Sequence, residues 1–583
     1  MREAVSITGQ GIICAIGNDL PSVLDSLVHA RSGIRPMKYL KSRHSELPVG
    51  EVQLSNSQMK RILGLEESTL ASRTSLMGAI AIKEALSQVG TSRLEGKRVV
   101  LISGTTVGGM DLSENYWERM KNEDSLLNLP LCNDCGNSTV EMARMAGLDG
   151  VRCCTISTAC SSALNSVMLG AEMLRHDEAD IVIAGGSEAL SRFHLNGFNS
   201  LMILDKEHCR PFDETRAGLN LGEGAAFVVL ERDAGSRTLS YVTGYGNRCD
   251  AFHQTATSEN GDGAFLAMTD ALEMAGIAPG DIDYVNAHAT GTPNNDLTES
   301  RALMRVFGDN LPEISGTKGL TGHTTSASGS IELVFCLLAM QEGFIPANIG
   351  WKTPMTEGII PSMGRKGVKL ENILCNAFGF GGNDSALIIS ATPRSGAAGE
   401  EEFDFETISD VTITASDDLK TLGQYNVSPM EARRMGKLMK ASQLSALRAL
   451  KEAGLDCPDA IVTATARGML DVSYQFLEDI EANGEELLKP TLFMQSTHNT
   501  LGSAIAIRTH CHGYNITYSQ GDESFDWALD DVKRLIRSGK AETVLVSSFD
   551  ESTPLFDSFS QRAGKEAPQP LFARSMVLRR KVR

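Results

Sequence analysis

The chain has 583 residues, of which 42% are hydrophobic and 22% charged, with a formal net charge of −19. That length exceeds one ordinary core and predicts two to four domains. The acidic balance argues against nucleic acid as a general partner and obliges any acidic partner to meet a local basic patch. Twelve cysteines, scattered through mostly apolar segments, make no disulfide framework. No apolar run approaches a membrane span, and the chain opens on a strand pattern instead of a signal peptide. The expected setting is a reducing cytoplasm.

In chain order, apolar periodicity predicts a strand over Val5–Gly11, a helix over Leu20–Arg31 and a long helix over Arg73–Val89. A buried strand over Val99–Ser103 runs into Gly104-Thr-Thr-Val-Gly-Gly109. Val151–Ile156 is a further strand, followed by Thr158-Ala-Cys160-Ser-Ser-Ala163 and a helix whose apolar face includes Leu164, Val167, Met168, Ala171 and Leu174. Strands over Ile181–Ala184, Ala225–Glu231, Ser240–Tyr245, Tyr284–Ala287 and Ala386–Ser390 alternate with helices over Gly263–Ala275 and Ser330–Gln341. This alternation implies mostly parallel, covered sheets in an α/β architecture.

Residues 392–402, Pro- and Gly-containing and then acidic, have linker composition. Beyond them the pattern restarts, with a strand over Asp410–Thr414 and a helix over Met435–Ala453. Ile461–Thr465, Gly468 and Asp471 echo Ile102–Thr106, Gly108 and Asp111. Residues 515–550 then overlay 153–188 without a gap, at six identities in 36 positions. The order of the matches outweighs that count. In this register Asp522 stands where Cys160 does. The organisation predicted is residues 1–391 (halves 1–240 and 241–391), a linker 392–402, and a degenerate copy of the first half over 403–583.

Cys160 sits at a tight strand-to-helix joint, where a helix N-terminus favours a thiolate. A buried structural cysteine is the alternative. His288 and His323 each stand just beyond a strand in small-residue loops, where α/β sheets bind ligands, and neither has metal-ligand spacing. Cys132-Asn-Asp-Cys135 lacks a second pair, and His510-Cys-His512 reads as structural. Gly104–Gly109 matches neither a phosphate loop nor a dinucleotide fingerprint.

Together, Thr158–Ala163, Phe212-Asp-Glu-Thr-Arg-Ala-Gly218, Gly222-Glu-Gly-Ala225, His288-Ala-Thr-Gly-Thr292, Lys318, Gly322-His-Thr324 and Gly379-Phe-Gly-Gly-Asn383 resemble β-ketoacyl-ACP synthases of the thiolase fold. The resemblance covers residues 1–390 and is nearest the synthase II type. Thr325 and Ser326 depart from it, standing where the family usually carries Leu-Gly. The resemblance implies a layered αβαβα fold with mixed or parallel sheets, followed by a half-thiolase-like α/β domain. It implies Cys160 as nucleophile, and His288 and His323 polarising a malonyl thioester. Lys318 would pair with Glu299, and Asp296 would support the network near His288. Phe380, between Gly379 and Gly381, would gate the second substrate, its N–H and that of Cys160 forming an oxyanion hole. Thr106, Gly108 and Met110 would shape the acyl pocket. No cofactor or metal is implied, because acyl groups arrive on the phosphopantetheine of an acyl carrier protein, for which Lys60-Arg61 is a docking candidate.

The second unit resembles the inactive chain-length factors found beside active synthases. It would make either a pseudo-dimer within one chain or an appendage on a homodimer. The reaction implied is decarboxylative Claisen condensation in fatty-acid, aryl-polyene or polyketide elongation. The alternatives are a Cys-His thioester hydrolase and, above all for residues 403–583, a silent scaffold.

Overall fold

A computed structural model describes residues 4–132, 134–232, 234–394 and 403–581. Most of the predicted linker, 395–402, lies outside them. The described strands are β1 (Val5–Cys14), β2 (Val99–Gly104), β3 (Arg152–Ile156), β4 (Ile181–Glu188), β5 (Gly224–Arg232), β6 (Ser240–Cys249), β7 (Tyr284–Asn286), β8 (Glu313–Ser315), β9 (Phe344–Ile345), β10 (Arg365–Lys366), β11 (Asn372–Gly379) and β12 (Asn383–Ser390). The second unit adds β13 (Phe405–Thr414), β14 (Ala460–Ala464), β15 (Tyr514–Tyr518), β16 (Thr543–Glu551) and β17 (Leu571–Arg580).

All but β9 and β10 join one 15-stranded sheet, ordered β13-β17-β16-β14-β15-β3-β2-β4-β5-β1-β6-β12-β11-β7-β8. It divides into three five-stranded runs of one topology. Counting each run's strands in chain order, the sheet order is third, second, fourth, fifth, first, in β1–β5, in β6–β8 with β11 and β12, and in β13–β17. In each run two pairings are parallel and two antiparallel. The sheets are therefore mixed, as the resemblance allows, while the strand–helix alternation alone implied mostly parallel ones: β11 and β12 reverse direction across the tight turn 380–382, and β4 and β5 reverse across a longer connection that includes the helix Arg192–Ser200.

Helices complete the layers. Arg73–Val89, capped by Ser72, covers the outer face of β1 and β5, and Asp262–Ala275 covers β6 and β12. Between the β1–β5 run and the β6–β12 run lie Ser162–Arg175 and Ser328–Glu342, buried almost all round because both faces are covered. In the second unit Ser524–Arg537 takes the place of Ser162–Arg175, displaced by 362 residues at both ends, as the repeat predicts. At the β2 copy the predicted register slips by one. Thr105 and Thr465 each donate from Oγ1 to a strand-end carboxylate, Glu188 and Asp550, and accept from the N–H of Gly108 and Gly468.

The two units meet along β3 and β15, where Ile156 faces Tyr518. Ser157 N–H donates to the Thr517 carbonyl and Ser519 N–H to the Thr155 carbonyl, each at 2.9 Å. Under the 362-residue displacement these two bonds exchange places, which is the signature of a two-fold related contact. Phe476 and Phe493 of the second unit pack against Phe193 and Phe198 of the first.

Candidate functional site

Cys160 emerges between β3 and its helix through Ala159, whose φ of +51° marks a strained elbow. The turn needs close backbone approach: a Cβ on Gly104 would stand 2.4 Å from the Ala163 nitrogen. Ala289 (φ +42°) directly follows His288, and Thr325 (φ +46°) stands two residues after His323. These outliers hold the three side chains convergent. His323 Nε2 lies 3.0 Å from Cys160 Sγ, and the two imidazoles meet edge-on with centroids 5.3 Å apart.

Cys160 is 6% exposed. Burial pushes its thiol up to about 12, although the Lys318 charge and the Phe380 N–H pull it down. The helix begins two residues later, at Ser162. The thiolate expected from sequence is thus overturned for the resting enzyme: desolvation outweighs the helix terminus. Burial first, and then the Lys318 charge, hold His288 and His323 well below the usual histidine range, so both rings are neutral. His323 Nε2 can accordingly accept the thiol proton.

Lys318 Nζ donates to Glu332 Oε1 at 2.7 Å and reaches His288 Nδ1 at 3.3 Å. An ammonium only donates, so Nδ1 is the acceptor and Nε2 of His288 carries the proton. The predicted Lys318–Glu299 pair is corrected by this geometry. Glu299, pushed up to about 7 by burial, instead accepts the backbone N–H groups of His288 and Ala289 at 2.8 and 2.7 Å. Asp296 accepts from the N–H groups of Phe212 and Gly291, bracing the loop beyond His288.

Gly379 ends β11 against the elbow: a Cβ there would stand 2.7 Å from the Thr158 oxygen and 3.2 Å from the Cys160 nitrogen. Phe380 stacks on Phe198 at 5.7 Å, and Gly381 (φ +87°) turns the chain back. Thr106 N–H donates to Glu188 at 2.5 Å, Gly108 abuts Cys135, and Met110 packs half-buried among the aromatic residues at the junction of the units. Of Lys60-Arg61, Arg61 is exposed, and Lys60 bonds the Glu67 carbonyl. His512 bonds the Cys249 carbonyl, and Cys511 is buried. Cys135 is buried also, while the Cys132 side chain lies outside those described. Asp522, opposite Cys160 in the repeat, is exposed and lines a separate cavity of about 310 Å³ with Arg467 and Asp550.

Three features escaped sequence reasoning. Glu332 had a readable signal: it is a lone acid in the apolar run Ile331-Glu-Leu-Val-Phe335, and a buried charge demands a partner. Ser326, at the departure from the family pattern, donates to Glu188. Phe493 and Asn499, which the second unit brings to the Phe198–Phe380 stack, gave no signal, since only tertiary packing places them there.

Comparison with known proteins adds the following. A model described as "Beta-ketoacyl synthase, N-terminal domain" matches residues 2–235, the corresponding C-terminal domain model matches 239–352, and a second N-terminal domain model matches 410–582. Nodulation protein E of Rhizobium meliloti (strain 1021) is 31% identical over 417 residues, 66% of this chain and 99% of that protein. The 3-oxoacyl-[acyl-carrier-protein] synthase 2 of Coxiella burnetii is 29% identical over 418 residues, 67% of this chain and 99% of its own. Among solved structures, the ishigamide ketosynthase/chain length factor is 29% identical with a TM-score of 0.61, covering 67% of this chain and 100% of that one. The PfaC keto synthase-chain length factor covers 99% of this chain and 78% of its own at a TM-score of 0.80 and 18% identity, a likeness of fold.

Proposed function

We propose the reaction from one premise: the chain belongs to the β-ketoacyl synthase family. It is a condensing acyltransferase that joins an enzyme-bound acyl group to a malonyl unit in fatty-acid or polyketide chain elongation. The observation that carries the residue assignment is the convergence of Cys160, His323 and His288 in one buried cluster beside Lys318.

Cys160 gives its proton to His323 Nε2 and attacks the thioester carbonyl of acyl-ACP. The N–H groups of Cys160 and Phe380 receive the oxyanion. The carrier thiol leaves with the proton from His323, and Cys160 is acylated. The malonyl thioester then binds with its carbonyl oxygen toward His288 Nε2–H and His323. Ser328 Oγ, 3.1 Å from His323 Nδ1, turns between donor and acceptor, so either tautomer of that ring can form. Carbon dioxide departs, and the electron pair it leaves enters an enolate held by the two donors. The enolate carbon attacks the Cys160 acyl carbonyl, the C–S bond breaks, the departing Cys160 thiolate takes up a proton from solvent by way of His323 Nε2, and β-ketoacyl-ACP is released. Burial, with the Lys318 charge second, keeps both rings neutral, and Lys318 fixes the His288 tautomer.

Residues 403–581 retain the fold of the first half, carry Asp522 at the cysteine position, and occupy the β3 edge. These observations support an inactive partner held in the same chain. The phosphopantetheine arm of the carrier protein delivers both substrates, a reading supported by a ketosynthase solved in complex with its acyl-carrier protein.

Intact-mass analysis after incubation with acyl-ACP tests the assignment. One acyl group on Cys160, followed by β-ketoacyl-ACP and carbon dioxide when malonyl-ACP is added, is the expected result. Extension by Cys160→Gln would remove Cys160 from its role, and free acid as the sole product would make the protein a hydrolase.

A further inference from the structure

The loop that carries Phe380 is held from both sides, and one side belongs to the second unit. Asn499, fully buried, donates from Nδ2 to the Phe380 carbonyl at 2.8 Å and to Asn383 Oδ1 at 2.7 Å. Ser503, one turn further along the same helix, sits so close that a Cβ on Gly381 would come within 2.2 Å of its hydroxyl. From the first unit, the Gln254 carbonyl accepts the Gly381 N–H at 2.7 Å, and the Asp250 N–H donates to the Gly382 carbonyl at 2.8 Å. Asn499 Oδ1 has no partner among the described residues although it is buried.

The Phe380 residue therefore carries two backbone groups with opposite duties. Its N–H points at the Cys160 sulfur, and its carbonyl, one peptide further, is fixed by Asn499. Rotation about Phe380 φ and ψ would carry its ring along with the backbone, and that same rotation takes the N–H off its target. A donor that anchors the carbonyl limits both. Nothing in the first unit donates to this carbonyl among the described hydrogen bonds.

We propose that Asn499, from the unit that lacks a nucleophile, is a positioning residue for the condensation, setting the Phe380 N–H toward the Cys160 acyl group and the resting position of the Phe380 ring. The second unit then contributes to the chemistry of the first through this one amide, independently of any effect on chain length. The inference rests on the condensation reading above.

The test uses the full chain in two variants. Asn499→Asp preserves shape and replaces the donor by an acceptor facing two oxygens, and Asn499→Ala removes the donor without burying a charge. Thr500→Ala, on the same helix and buried but bonded only to Thr497 and the Met494 carbonyl, controls for loosened packing. Two quantities are read: extension by malonyl-ACP from enzyme already acylated at Cys160, and the pH profile of Cys160 alkylation by iodoacetamide. Both Asn499 variants should extend at least tenfold more slowly and alkylate with a midpoint at higher pH, because the N–H that favours the thiolate is no longer held. Thr500→Ala should match wild type in both. Extension by Asn499→Asp within twofold of wild type, or an equal loss in Thr500→Ala, would overturn the proposal. Failure of the wild-type chain to extend would instead strike at the condensation reading itself.

Discussion

Lys318 Nζ and Glu332 Oε1 lie 2.7 Å apart with both side chains almost wholly buried, and the lysine is simultaneously 3.3 Å from His288 Nδ1. A buried ion pair adds little net stability over an apolar pair, but removing one partner strands the other charge at a cost of about 3–5 kcal/mol. Glu332→Ala should lower unfolding stability by about that amount in urea titration, and Glu332→Gln, which keeps an acceptor, by less than half of it. Equal stability of Glu332→Ala and wild type would mean that the lysine is solvated or neutral in the fold.

The same lysine sets the pH response. Both imidazoles are depressed by burial first and the Lys318 charge second, so protonation is disfavoured across the neutral range. Malonyl-ACP decarboxylation should keep its rate as pH falls through the ordinary histidine range near 6.5. In Lys318→Ala the repelling charge is gone, the folded-state histidine pKa values rise toward that range, and the acid limb of the profile should move upward. Unchanged acid limbs would separate Lys318 from the histidines. The unfolded chain binds protons below about pH 6.5 that the folded rings refuse, so stability should also decline on acidification below that point.

Gly379 is the position where a single methyl group should reach the oxyanion site. Its Cβ would meet the backbone of Thr158 and Cys160, which cannot turn aside as a side chain can. Gly379→Ala should slow acylation of Cys160 about 100-fold, the order found for losing one oxyanion donor. Gly280→Ala, where an added Cβ meets nothing within 4 Å, is the matched control. Similar acylation rates in the two variants would show that the elbow absorbs the methyl.

Across the junction, a Cβ on Gly197 would strike the Phe493 ring at 2.1 Å. Gly197→Ala and Phe493→Leu should each destabilise the chain by about 1–3 kcal/mol, and the double variant by clearly less than their sum, because the smaller side chain admits the methyl. Additive losses in a thermal or urea double-mutant cycle would show that the two residues do not touch in solution.

The local order of this protein was largely legible in its amino-acid sequence. The 2.0 and 3.6 periodicities, the small residues around Cys160 and the repeat that places Asp522 opposite it are short-range patterns, and the helix over residues 524–537 falls where the copy of 162–175 requires. The convergence of Cys160, His288 and His323 was legible only through motifs held in common with a family. Tertiary structure decided the rest, and for physical reasons. Whether Lys318 meets Glu299 or Glu332 depends on which acid has its oxygens free, and the backbone N–H groups of His288 and Ala289 had already claimed those of Glu299. The thiol state of Cys160 depends on how much water the finished fold excludes, which no helix start reveals. And the contact of Asn499 with Phe380 joins residues 119 positions apart in two units, a distance closed by the docking of the second unit on the first, through the β3–β15 pairing and the bonds of Asn515 to Asn247 and Asn383.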